Sequence, residues 1–399
     1  MRRTGREVGD LKSITRRKFG AALAAVSVLG LVLRLLGFNF EGVDYEQCLS
    51  AWFNQLKEIG DISALAAYEG NYNYPYATIL LLLTFLPVPS LYSIKLVSVL
   101  FDFVEAGVLA LTVMHGAEGE KRYGTGLLAY ALVLCNPLAV MNSGYLAQSE
   151  GIWTALGLLS FYLVVVKEKP GAGMFVFGAA LTFKLQAIFI LPIILIAYFY
   201  KKRFSILNLL WVPAAIEILC IPAIIGGCGW GSGFVKFFRL MGEYPFMFYY
   251  YPNIWTFFQE APYYVFGTVA VAFTFTALLL FAVLFVKSGK KYAVQDYITY
   301  AAWTAMTCTM LLPCMHERYN YMAEMLLPVS AVFDKKLRVP ALLLILVSTQ
   351  CIGQQFLDWP RFSYYALAAA NIVIYFYFSA HCFGSLYREY RKNGGAGAC

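Results

Sequence analysis

Several polar groupings in the chain have residue types that can move protons or hold anions. Asp44, in Glu41-Gly-Val-Asp-Tyr-Glu-Gln with Glu46 close behind, follows the first long apolar run. A carboxylate held where water meets an apolar phase is partly desolvated, which favours its protonated form and suits it to general-base work. The competing reading of Asp44 is an acid at a helix start, favoured by the helix dipole. His316-Glu317-Arg318-Tyr319, shortly after Pro313, gathers an imidazole, a carboxylate and a guanidinium. Guanidinium and imidazolium together can grip a phosphate, although a plain interfacial cluster of long side chains fits the same text. One His beside one Glu is a poor metal pair.

Lys184 and Gln186 interrupt apolar sequence, where an unpaired ammonium is expensive, so an anionic partner is expected: a lipid phosphate, or an acid such as Asp102. Asp102 and Glu105 share one helix face at i, i+3 inside an apolar run and need partners of their own. Lys95, Lys184 and Arg318 are the candidates, and a structural ion pair between helices is the alternative to a site. Gln148-Ser149-Glu150, beyond Pro137 and Asn142, says by itself only that this loop is polar.

Positioning these groups falls to 399 residues of which 60% are hydrophobic and only 14% charged, with mean hydropathy +0.64. Soluble globular chains carry roughly 25% charge, which excludes that class. The apolar residues come in runs of roughly 15 to 25, the length of membrane-crossing helices. An all-α, polytopic transmembrane protein follows. The net charge of +8 does not imply nucleic acid, because in a membrane protein the sidedness of charge says more than its sum. Nine cysteines without a C-x-x-C spacing give neither a metal ligand set nor a disulfide framework.

Arg2, Arg3, Arg6, Lys12, Arg16, Arg17 and Lys18 precede the run Phe19 to Gly37 and read as a positive-inside anchor rather than a twin-arginine export signal. Later basic clusters sit at Lys121-Arg122, Lys167 with Lys169, Lys201 to Arg203, Lys287 to Lys291, Lys335 to Arg338, and Arg388 to Lys392. Placing all of them on the cytoplasmic side demands an even number of crossings between neighbours. The run Tyr76 to Leu86, bracketed by Pro75, Pro87 and Pro89, is too short for a 30 Å core and becomes a membrane-dipping helix. Twelve crossings result, with both termini inside. The division is a basic N-terminus (1–18), one membrane domain (19–386) with long outer loops at 38–95 and 226–262, and a cytoplasmic tail (387–399). Leu49, Trp52, Phe53 and Leu56, at i, i+3, i+4, i+7, predict an amphipathic helix in the outer interface. The polar residues left unexplained by sidedness, from Asp44 through Gln148, Lys184 and Lys236 to Arg318, fall on the outer face, which makes that face the economical place for a site.

The order of these signals resembles polytopic GT-C glycosyltransferases, and more narrowly the bacterial proteins related to the second mannosyltransferase of GPI-anchor synthesis. Dolichyl-phosphate-glucose-dependent glucosyltransferases are a more distant likeness. The text that carries it is Val43-Asp-Tyr-Glu, Gly70-Asn-Tyr-Asn-Tyr-Pro-Tyr, Ile94-Lys-Leu-Val-Ser-Val-Leu-Phe-Asp-Phe, Gln148-Ser-Glu, Phe183-Lys-Leu-Gln-Ala-Ile-Phe and Pro313-Cys-Met-His-Glu-Arg-Tyr, over roughly residues 20 to 335. The resemblance implies a GT-C fold in the cell membrane, an extracytoplasmic site and a polyprenyl-phosphate sugar donor. It also implies a hexose, mannose by the family's label, passed with inversion to a glycan or lipid acceptor. Asp44 matches the catalytic Asp of the first outer loop. Glu46, Asp102, Gln148, Glu150, Lys184, Gln186, His316, Glu317 and Arg318 are the expected substrate contacts. The family's Gln-Ser-Asp stands here as Gln148-Ser149-Glu150, and no Asp-x-Asp is present, which fits a metal-independent reaction without a cofactor. A secondary transporter or lipid flippase is the rival class; it would gather charges at the midplane between repeats, and no repeat is evident.

Overall fold

Apolar runs punctuated by proline and glycine fold into helices broken where those residues fall. The computed structural model describes residues 16–119, 121–201, 204–240 and 244–393. The basic residues before Arg16, and the tail from Gly394 to Cys399, lie outside the described residues. The rest is helical, and no strand occurs among the described residues.

The first helices are α1 (Arg16–Leu35), α2 (Ser50–Ile59), α3 (Tyr74–Thr84), α4 (Ser90–Gly116), α5 (Lys121–Leu134) and the single turn α6 (Pro137–Val140). Next come α7 (Glu150–Phe161), α8 (Pro170–Phe183), α9 (Leu191–Tyr200), α10 (Trp211–Leu219), the turn α11 (Ile221–Ala223) and α12 (Ser232–Leu240). The chain ends with α13 (Tyr263–Lys287), α14 (Val294–Leu311), α15 (Tyr321–Phe333), α16 (Arg338–Phe356) and α17 (Tyr364–Lys392).

Five helices, within α1, α4, α13, α16 and α17, are long and apolar enough to cross a membrane. Two bent pairs raise the number to seven: 121–134 with 137–145, bent by 48°, and 206–219 with 221–228, bent by 41°. Each bend has a proline at the restart, Pro137 and Pro222, which removes an amide donor and crowds the preceding turn. α3 has 11 residues, about 16 Å at 1.5 Å each, short of a bilayer core. α2 buries Phe53 and Leu56 with Leu49 just before it, as the spacing predicts, and Trp52 lies half-buried beside them.

Polarity runs opposite to that of a soluble protein. Val28, Leu100, Leu111, Phe275, Leu346 and Val373 point outward, whereas Arg34, Lys95, Asp102 and Glu105 are fully enclosed. Backbone helices satisfy their own polar groups, so only side-chain charges need partners inside such a bundle. α4 forms a hub, packing on α5 and α7, while α7 leads to α8, α8 to α10, and α14 to α15. A methyl on Gly178 of α8 would meet the Val212 carbonyl of α10 at 2.5 Å, so glycine sets how closely those two helices approach.

Candidate functional site

Arg318 is the centre of the polar cluster, and its surroundings come from segments far apart in sequence. It lies in the irregular stretch between α14 and α15, entered through Cys314 with φ of 56°. That loop is clamped by the 244–251 segment, through Cys314 N–H to the Met247 carbonyl at 3.1 Å and Tyr251 N–H to the Met315 carbonyl at 2.9 Å. Ala147, just before Gln148, and Tyr250 also sit at positive φ, 55° and 69°. Three non-glycine residues held in this sparsely populated region border one cluster, and strain of this kind persists only where packing over-determines it.

The guanidinium meets three carboxylates. Nη2 lies 2.8 Å from Asp44, Nη1 donates to Glu317 at 2.8 Å, and Nε faces Glu150 at 3.2 Å. Lys184, in the break between α8 and the following 3-10 turn, donates to the same Glu150 oxygen at 2.5 Å. Trp153 Nε1 donates to the other, so Glu150 is fully buried with both oxygens occupied. The Lys184 ammonium also stands over the rings of Tyr72 and Tyr319, at 5.6 and 5.3 Å.

Asp44 is differently placed. It stands in helical backbone at the start of the π-helical turn Tyr45–Leu49, where the helix-start reading puts it, but its side chain caps no helix amide. Gln148 Nε2 donates to Oδ2 at 2.8 Å, the same oxygen that meets Arg318, and a third of the Asp44 side chain remains exposed. A carboxylate with one oxygen anchored and open surface beside it can accept a proton from a group arriving from outside.

His316 lies 3.6 Å from Glu317, edge-on to Tyr249 and tilted against Tyr319, with ring centroids 4.2 and 4.9 Å away. Burial pushes the imidazole below its ordinary range, against the pull of Glu317. Burial alone would raise the Glu317 carboxyl, but the Arg318 charge and the His316 hydrogen bond outweigh it and hold the group at about 2. Burial would likewise lower the Arg318 guanidinium, but Glu317, Asp44 and Glu150 outweigh it and hold the group well above its ordinary value. Among the described residues, no three His, Cys, Asp or Glu side chains converge to hold a metal ion.

The structure thus brings together Asp44, Gln148, Glu150, Lys184, His316, Glu317 and Arg318. Gln186 shares the chain break with Lys184 and keeps a buried carbonyl oxygen without a partner. Glu46 is exposed and makes none of these contacts. Asp102 is a correction to the expected partner list: it pairs with Arg34 at 2.8 Å and accepts from the Ser143 hydroxyl, rather than meeting Lys95, Lys184 or Arg318. Glu105 accepts from the Tyr321 hydroxyl at 3.3 Å, and the Lys95 ammonium is taken by the carbonyls of Gly37, Phe38 and Phe40. Lys184 finds Glu150, not Asp102.

Sequence reasoning overlooked Arg34, Trp153 and Tyr249. Only Arg34 carried a usable signal, as a lone cation between apolar residues at the end of the first run. Compared with known proteins, the chain matches no family model, and no curated protein resembles it at a significant level.

Proposed function

We propose that the protein is a membrane glycosyltransferase of GT-C type. In this reading twelve helices cross the bilayer, the termini lie in the cytoplasm, and the Arg318 cluster faces the other side. It takes a hexose from a polyprenyl-phosphate donor and delivers it with inversion to a glycan or lipid acceptor. The observation that carries the proposal is convergence: the Asp44, Gln148, Lys184 and Arg318 segments, chosen from the sequence for an outer-face site, meet in one cluster with a half-open carboxylate.

Asp44 is the general base, taking the proton of the acceptor hydroxyl as it attacks the anomeric carbon opposite the departing phosphate. Its Oδ2 is fixed by Gln148 and Arg318, which orients the carboxylate towards its open side. Arg318 is flanked by three acids and acts as the organiser of the site. Lys184 and His316, whose side chains are mostly buried but keep some exposed surface, are the groups that meet the lipid phosphate and offset the charge on the leaving group. The proton from the acceptor resides on Asp44 and the phosphate leaves on its polyprenyl chain, so charge and protons balance without a metal.

Purified protein incubated with a panel of polyprenyl-phosphate sugars should consume one donor, read by mass spectrometry. Asp44→Asn keeps shape and hydrogen bonding but removes basicity, and should lower turnover about 10² to 10⁴-fold with donor binding intact. A variant retaining more than about a tenth of wild-type turnover would place the base elsewhere.

A further inference from the structure

Away from the Arg318 cluster, a cavity of about 810 Å³ opens between α5, α15 and α16. α15 starts three residues after Arg318, and its 13 residues, about 20 Å, carry the chain to this cleft. Leu128 and Leu132 form one wall and Leu342 and Ile345 the other, and the floor runs past Pro328, the proline inside α15. A cavity of this size falls in the range of about 300 to 1,000 Å³ typical of small-molecule sites.

The charges are all at one end. Lys335 and Arg338 border the cleft, both are exposed, and neither has an ion-pair partner among the described residues. The adjacent acid, Asp334, is already engaged by His381 at 3.1 Å and by the Lys336 amide at 3.0 Å. An apolar channel closed by two free cations is complementary to an amphiphile with a hydrocarbon chain and an anionic head. In a chain with five to seven membrane-length helices, the molecule of that description at hand is an anionic phospholipid.

We infer that the α5–α15–α16 cleft is a binding site for an anionic phospholipid, its phosphate on Lys335 and Arg338 and its chain along Leu128, Leu132, Leu342 and Ile345. The inference is independent of glycosyl transfer. It concerns a lipid that is neither donor nor acceptor, since no residue of the cleft belongs to the Arg318 cluster.

Native mass spectrometry on the full chain in neutral detergent tests it, titrating phosphatidylglycerol against phosphatidylcholine of identical chains. Phosphatidylglycerol should bind at least tenfold more tightly. Each cation near a phosphate headgroup contributes about fivefold, so Lys335→Ala with Arg338→Ala should weaken phosphatidylglycerol roughly 25-fold, to the level of phosphatidylcholine. Both residues are exposed, so this variant should elute as wild type in size exclusion. Ala131→Trp, filling the cleft, should abolish the tight binding. Removing two other exposed cations, Lys169→Ala with Lys287→Ala, should change affinity less than twofold. Excess inorganic phosphate should not displace the lipid; displacement would mean a free-phosphate site. Equal affinity for the two lipids, or an equal loss in the control variant, would overturn the proposal.

Discussion

Two buried arginines, Arg34 and Arg318, answer the same electrostatic problem in opposite ways. Arg34 is enclosed by helices: Nε donates to Asp102 at 2.8 Å and Ser143 at 3.1 Å, and Nη1 donates to the carbonyls of Gly30 and Leu134, both at 2.8 Å. One carboxylate, one hydroxyl and two backbone oxygens thus hold it. Arg318 instead meets carboxylates from residues 44, 150 and 317. The first arrangement is a closed tie between α1, α4 and the 141–145 turn. The second concentrates three negative groups around one cation, beside a carboxylate still open to the outside. Under the proposed function the crowded arginine belongs to the reaction site and the tied one to the architecture.

Removing each arginine separates the two roles most sharply. Arg318→Ala leaves Asp44, Glu150 and Glu317 with Lys184 as their remaining strong cation, so turnover should fall to background and stability by about 3 to 5 kcal/mol. Arg318→Lys should restore little of either, since one ammonium cannot fork to three acids. Thermal melts and donor turnover on both variants check this. At the other site, Arg34→Met paired with Asp102→Leu removes both charges at once. Stability should then stay within about 2 kcal/mol of wild type, with turnover reduced less than tenfold. Loss of activity from this pair comparable to that of Arg318→Ala would erase the distinction.

Acid should distinguish the regions next. Glu317 is held at about 2, below its ordinary value of 4.5, so its contribution is fully present above pH 4.5 and is lost as pH falls towards 2. A shift of that size corresponds to about 3 kcal/mol. Melting temperature measured from pH 6 to 3 should drop more steeply for wild type than for Glu317→Gln, and parallel curves would show the pairing to be weak. The smallest expected effect probes the seam where the regions touch. A methyl added at Gly151 would lie 2.6 Å from Asp102 Oδ1, so Gly151→Ala must shift either that acid or Glu150 beside it. Overpacking of this kind costs about 1 to 3 kcal/mol, and turnover should fall three- to tenfold with unchanged donor specificity.

The sequence made the crowded cluster legible and the closed tie nearly invisible, for a physical reason. Asp44, Gln148, Lys184 and Arg318 stand out because polar residues next to apolar runs demand explanation, and the alternation of basic segments assigns them a common side. Arg34 and Asp102 became partners through the rotation of α1 against α4, which no spacing along either helix encodes. Helix existence was readable from composition; bends at Pro137 and Pro222 and the π-helical turns were not placed, because they depend on what packs across from them. α15 begins only at Tyr321, and the turn before it, residues 317–320, carries Arg318 to its three acids. The aromatic wall at Tyr249 needed the 244–251 segment to fold back, a long-range event without a local signature.

The span of these contacts along the chain also sets an order of assembly. Arg34 and Asp102 are 68 residues apart, so that tie can close while most of the protein is still unmade. Asp44 must wait for Arg318, roughly 200 residues after Asp102, which at typical ribosomal rates is on the order of 10 to 40 s. During that interval the membrane-insertion machinery handles an early helical core whose acidic residue lacks its permanent counterion. A nascent chain ending ahead of Arg318 would therefore hold the Arg34–Asp102 tie but lack both the guanidinium that meets Asp44 and the Tyr321 hydroxyl that Glu105 accepts from.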